Sequence, residues 1–117
     1  MPNLHLETTA DLPENSDVPD ILEALVTKLA EFESVKSESI KAFHSIRSVW
    51  HVGDGAKDGF AHLTVAVLTG RTLEWRERVA AELMDVLKVR FGSSVLAGEA
   101  SVSLEVREMQ SETYLKA

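Results

Sequence analysis

Cysteine is absent from the 117 residues, which excludes disulfides, thiolate catalysis and cysteine-ligated metals. Positive charge is scarce, with 12 Lys and Arg against 19 Asp and Glu and a formal net charge of −7. Binding to phosphate backbones needs a basic face, so this balance argues against a nucleic-acid partner. No apolar run approaches the roughly 20 residues that a membrane span requires. The first residues lack the basic start and apolar stretch of a signal peptide. The expectation is a cytoplasmic protein with no membrane partner. His5, His44 and His51 have no companions at metal-ligand spacing, so no metal is expected. The scarcity of cations also has a positive use. An acidic chain that binds a small anion must gather its few Arg and Lys residues in one place.

What is present suits one domain covering residues 1–117, with a single modest core. Leu4 to Thr9 alternates apolar Leu4 and Leu6 with His5 and Glu7, as a short strand does. Asp11 to Asp17 is polar and contains Pro13, so it reads as a loop, with Asp17 placed to cap a helix opening on Pro19 and Asp20. Val18, Ile21, Leu22, Leu25, Val26, Leu29 and Phe32 form one apolar stripe at helical spacing. Ile40 to Val52 reads as a long strand, its alternation broken around His44 to Arg47 as at a bulge or bend. Gly53 to Gly59 is a turn by composition, and Phe60 to Leu68 is the clearest strand. A second helix begins at Thr72, with a stripe of Ala80, Leu83, Met84, Leu87 and Phe91, and Gly92 is expected to close it. Ala100 to Met109 alternates as a last strand, and residues 110–117 form a tail.

The order strand–helix–strand thus occurs twice, at about residues 2–52 and 60–109. This is an α/β (α+β) pattern: two β-α-β repeats forming a four-stranded mixed sheet with two helices on one face. The strand Phe60 to Leu68 carries apolar or semi-apolar residues on both sides, so the sheet face away from the helices needs a cover. Copies of the same chain provide one economically, and a homo-oligomer is expected.

The residue after Met1 is Pro2. Removal of Met1 exposes a secondary amine on a rigid ring. An α-amino group titrates near 8, and burial or neighbouring cations lower that value toward the range where a general base works at neutral pH.

Several residues together resemble one known family. They are Met1-Pro2, Leu4, Glu7, Ala10-Asp11-Leu12, Ile40-Lys41, Val52-Gly53-Asp54-Gly55, Asp58, Phe60, His62, Thr64 and Gly70-Arg71-Thr72-Leu73-Glu74. The chain resembles the 5-carboxymethyl-2-hydroxymuconate isomerases of the tautomerase superfamily from Pro2 to about Met109. The resemblance implies a homotrimer of paired β-α-β units, with sheets facing inward and helices outside. It also implies an isomerase that uses no metal and no organic cofactor. Its activity would be a 1,3-proton shift in a small unsaturated 2-hydroxy or 2-oxo dicarboxylate of aromatic-acid catabolism.

By the same resemblance Pro2 is the catalytic base. Arg71 and Lys41 bind the anionic substrate, Lys41 either through its second carboxylate or through the dienolate oxygen. Lys41 stands where the family often has arginine, and Arg47 on the same strand competes with it for the role. Asn3 replaces the histidine that commonly follows the proline. His62 reads as a core or interface residue, and Trp50 and Trp75 as packing residues. Two alternatives accompany this reading. One is another activity of the superfamily, such as keto-enol tautomerase, hydratase or decarboxylase. The other is a non-catalytic trimer that binds a small anion or a protein.

Overall fold

The computed structural model describes residues 1–54 and 58–117, so Gly55, Ala56 and Lys57 of the expected turn lie outside the described residues. The chain forms β1 (Asn3–Thr9), a 3-10 turn at Pro13–Asp17, α1 (Val18–Ala30), β2 (Lys41–Arg47) and β3 (Gly59–Leu68). It continues through α2 (Leu73–Arg90), a short α3 (Gly92–Leu96), β4 (Ala100–Met109) and a 3-10 turn at Ser111–Thr113. The sheet order is β2-β1-β3-β4. β1 pairs parallel with β2 and β3 parallel with β4, while the two central strands pair antiparallel. Each β-α-β repeat therefore forms a parallel pair, and the repeats join across an antiparallel seam. The sheet is mixed, as expected.

Alternation along the central strands explains the layering. Leu4 and Leu6 of β1, with Ala61, Leu63, Val65 and Val67 of β3, point to one face and are buried there. Against them pack Ile21, Leu25 and Leu29 of α1 and Val79, Leu83 and Leu87 of α2, all in one continuous core. Each fully buried Leu or Val contributes roughly 1.5–3 kcal/mol by leaving water. Both helices lie on this one face, where the fully buried apolar side chains of β1 and β3 meet theirs.

Two expectations need correction. The long strand Ile40 to Val52 is shorter, and β2 stops at Arg47 without a bulge. Its partner β1 ends at Thr9, opposite Arg47, and the last backbone bond of the pair runs from Ala10 N to Arg47 O at 3.0 Å. Beyond that point the β1–β2 register ends. The second helix also differs. Its buried stripe is Val79, Leu83 and Leu87, continued by Phe91, whereas Ala80 and Met84 are only half-buried. α2 closes at Arg90, two residues before Gly92, with Phe91 as a cap outside helical geometry (φ −105°, ψ 12°), and Gly92 then opens the short α3. The chain leaves toward β4 at Gly98, whose φ of 72° favours glycine.

The helix starts differ as well. Asp17 occupies the cap position of α1, but its side chain bonds no backbone N–H. Thr72 caps α2, accepting a hydrogen bond from Trp75 N at 3.0 Å.

The other sheet face is partly exposed and mixed in character, with Phe60, Ala66 and Leu68 of β3 among polar side chains. It carries Asn3, His5 and Glu7 of β1, Phe43 and Ser45 of β2, His62 and Thr64 of β3, and Ser103, Glu105 and Arg107 of β4. Its side chains pair across strands: the His5 ring stacks on Phe43 at 4.6 Å, and His62 Nδ1 lies 2.7 Å from Ser103 Oγ.

The strand directions have one consequence for function. The starts of β1 and β2 lie at the same end of the sheet as the ends of β3 and β4. Pro2, Lys41, the β3–α2 turn and the start of the C-terminal tail thereby lie at one end of the sheet, with Lys41 and the tail on its opposite edge strands.

Candidate active site

Pro2 is buried at the start of β1, and its carbonyl accepts a hydrogen bond from the backbone N–H of Lys41 at 3.1 Å. Proline suits this position, since it closes no ladder bond of its own through nitrogen. Met1 precedes it and carries the terminal amine. That amine is held below its ordinary value of 8.0, first by burial and then by the charges of Arg71, Lys116 and Lys41. Each cause penalises the protonated form.

Arg71 sits in the turn between β3 and α2, directly before the capping Thr72. Gly70 makes the turn, with a φ of 114° that L side chains rarely adopt. The guanidinium lies 4.3 Å from the centre of the Trp75 ring, in cation–π range. It donates to the carbonyls of Glu33 and Ser34 at 3.4 and 3.2 Å. Trp75 meets buried Phe32 edge-on at 5.9 Å. Arg71 is thus anchored from below by an aromatic pair and from one side by the loop after α1. The sequence reading expected a guanidinium fork open to a carboxylate together with the first-turn N–H groups of α2. Part of the fork already holds the Glu33–Ser34 backbone, and the Thr72 hydroxyl already takes Trp75 N–H.

Lys41 is exposed at the start of β2 and enters no ion pair among the described residues. The competing Arg47 lies six residues further along, which at about 3.3 Å per residue puts it roughly 20 Å away. There it is bound to Glu7, whose carboxyl falls below its usual range mainly through that hydrogen bond. Of the two cations, Lys41 belongs to the proline end and Arg47 does not.

The remaining histidines are accounted for locally. His62 lies on the open face against Ser103, and His5 Nε2 lies 2.9 Å from Ser45 Oγ. Among the described residues no three His, Asp or Glu side chains are grouped to hold a metal. No helix among them is long and apolar enough to cross a membrane.

Two features were missed from sequence. Lys116 acts on the terminal amine more strongly than Lys41 does, although it lies in the tail. The signal that finds it is topological: an antiparallel seam between two parallel pairs brings the chain's beginning and the start of its tail to the same end of the sheet. The second feature is the amide oxygen of Asn3, which is buried without a hydrogen-bond donor among the described residues, one residue from Pro2.

A mixed sheet of two β-α-β repeats, backed by two helices, thus carries buried Pro2 at one end beside Lys41. The family model described as 5-carboxymethyl-2-hydroxymuconate isomerase matches residues 2–117, and the chain belongs to that family. It is 24% identical over 110 residues to the 5-carboxymethyl-2-hydroxymuconate Delta-isomerase of Escherichia coli, covering 93% of this chain and 87% of that protein. The crystal structure of a 5-carboxymethyl-2-hydroxymuconate isomerase from Deinococcus radiodurans R1 superposes with a TM-score of 0.89 at 28% identity, covering 99% of this chain and 88% of that one. A fused 4-OT wild-type symmetric trimer shares the fold, with a TM-score of 0.68 at 17% identity and coverage of 98% and 95%.

Proposed function

We propose that the protein, after loss of Met1, isomerises a small unsaturated 2-hydroxy or 2-oxo dicarboxylate without metal or organic cofactor, using the Pro2 nitrogen as its single base. The observation that carries this reading is the position of buried Pro2, beside Lys41 at one end of the sheet, where burial and the charges of Arg71, Lys116 and Lys41 lower the pKa of the Met1 amine that precedes it. A base must be neutral to accept a proton, and burial with adjacent positive charge keeps an amine neutral near pH 7. The family membership and the names of the relatives support an isomerase.

In this reading the Pro2 nitrogen takes the proton from the 2-hydroxyl of the dienol. The oxygen's electron pair forms the carbonyl, and the displaced pair moves along the conjugated chain. The protonated nitrogen then returns the proton to carbon, so the product is an isomer and the base is regenerated. Arg71 holds one carboxylate through its remaining donors. Lys41 faces either the second carboxylate or the oxygen on which negative charge resides.

The working form is a homotrimer in which three open sheet faces turn inward. Supporting this are the partly exposed open face and the 48% exposure of Phe43 on edge strand β2. The trimer among the solved structures of this fold agrees with it.

The test combines intact mass with activity. The account expects protein lacking Met1 to turn over unsaturated 2-hydroxy diacids, followed by ultraviolet absorbance. Pro2→Ala should lower kcat by about 10²–10⁴, the usual contribution of a positioned general base. Full activity in protein that retains Met1 would overturn the role of Pro2.

A further inference from the structure

Arg71 reaches the proline end of the sheet through strand register. Asn3 pairs with Ala66, so β3 runs two residues past the start of β1 before the chain turns at Gly70. A long side chain leaving such a turn has many rotamers, and something must choose one. Three contacts do so. The guanidinium lies over the Trp75 ring, 4.3 Å from its centre. Two of its five N–H donors go to the carbonyls of Glu33 and Ser34, at 3.4 and 3.2 Å. Ser34 has a φ of 64°, in the left-handed region that residues other than glycine seldom enter. Such a conformation persists where surrounding contacts over-determine it.

The ring beneath the guanidinium is itself held. Trp75 lies in the first turn of α2, where its backbone N–H donates to the Thr72 hydroxyl at 3.0 Å. Its ring meets buried Phe32 edge-on, with centres 5.9 Å apart and planes at 71°. The indole N–H adds nothing to this hold, because Nε1 is buried without an acceptor among the described residues. An orphaned buried donor weakens a fold, and phenylalanine would pack against Phe32 without one. What tryptophan offers here, and phenylalanine offers less of, is an electron-rich face for a cation.

We propose that Trp75 is a positioning residue of the site, its ring ordering the Arg71 guanidinium before a substrate carboxylate arrives. The proposal rests on the isomerase reading above and deepens it. A tryptophan that reads as packing in the sequence thereby acts on binding through Arg71. The contact through the ring face uses no N–H, and Arg71 enters no ion pair among the described residues. The donors not taken by Glu33 and Ser34 therefore stay available to a carboxylate. Ordering a long side chain only on binding costs about three- to tenfold in affinity. The Trp75 ring removes that cost in advance.

The experiment measures binding rather than turnover, so its outcome is independent of whether Pro2 is the base. Adipate, a saturated diacid that cannot tautomerise, is titrated calorimetrically into protein lacking Met1. The proteins compared are wild type, Trp75→Phe, Trp75→Leu, Arg71→Gln and the Arg71→Gln/Trp75→Leu double variant. The expected Kd is about three- to tenfold higher in Trp75→Leu and about two- to threefold higher in Trp75→Phe. In the Arg71→Gln background Trp75→Leu should weaken adipate no further, a non-additivity that a packing role alone would not produce. Should Trp75→Leu fail to fold, Trp75→Phe with and without Arg71→Gln decides in the same way. A lowered Tm with unchanged Kd in the Trp75 variants overturns the proposal. So does equal weakening with and without Arg71, or a wild type that does not bind adipate. Should Trp75→Leu weaken adipate only when Arg71 is present while Pro2→Ala keeps full activity, the isomerase mechanism fails and the positioning role of Trp75 stands.

Discussion

The backbone N–H of Lys41 donates to the carbonyl of Pro2 at 3.1 Å, so the proposed base and one of its cations are held together by main chain rather than by side chains. The bond closes the β1–β2 ladder at its open end, just before Asn3 meets Lys41 in register. Position and charge at this residue are therefore separable by mutation.

Lys41→Ala retains the N–H and should leave thermal stability within a few degrees of wild type. If Lys41 stabilises the dienolate oxygen, kcat should fall by roughly 10²-fold, the scale of losing one oxyanion contact. Lys41→Pro removes the donor itself and should lower Tm as well as activity. Melting curves paired with steady-state kinetics on the two variants check both halves.

Arg71 carries structural and functional roles together. Its alanine variant loses the Trp75 stack and both bonds to the Glu33–Ser34 backbone, a stability cost of about 1–3 kcal/mol. Arg71→Lys keeps the charge but gives up the planar fork. Urea unfolding should rank wild type above Arg71→Lys above Arg71→Ala. KM for the diacid should rise in both variants, more in Arg71→Ala.

His44 provides a pH signature of the fold. Its Nε2 lies 2.7 Å from the hydroxyl of fully buried Thr8, which in turn donates to Asn15 Oδ1, so the imidazole acts as donor in its neutral form. Burial, followed by the charge of His5, holds its pKa below the ordinary 6.5. Between the lowered folded value and 6.5 the unfolded chain binds more protons than the folded one, so stability is lost as pH falls below 6.5. Urea midpoints measured from pH 7.5 to 5 should decline in the wild type and less steeply in His44→Gln.

Much of this architecture is legible in local patterns. Alternation along Leu4 to Thr9 and Phe60 to Leu68, and the stripe from Val18 to Leu29, mark elements whose burial face the tertiary structure retains. Where reading failed, the deciding contact lay far along the chain. β2 ends at Arg47 because β1 ends at Thr9, a limit that nothing in Ile40 to Val52 reveals. A second short helix follows Gly92 after α2 closes at Arg90, with fully buried Phe91 between the two. At the site, Pro2, Lys41 and Arg71 were named from family resemblance. The anchoring of Arg71 by Glu33 and Ser34 lay beyond sequence altogether, since it joins the loop after α1 to the turn before α2.

The most direct test of the account is the titration of the terminal nitrogen in protein lacking Met1, followed by ¹⁵N resonance of labelled Pro2 and by the acidic limb of kcat/KM. The account predicts a common pKa below the ordinary α-amino value of about 8, rising when Arg71 is replaced by Gln. A Pro2 nitrogen that titrates at or above about 8 and ignores the loss of Arg71 would contradict it.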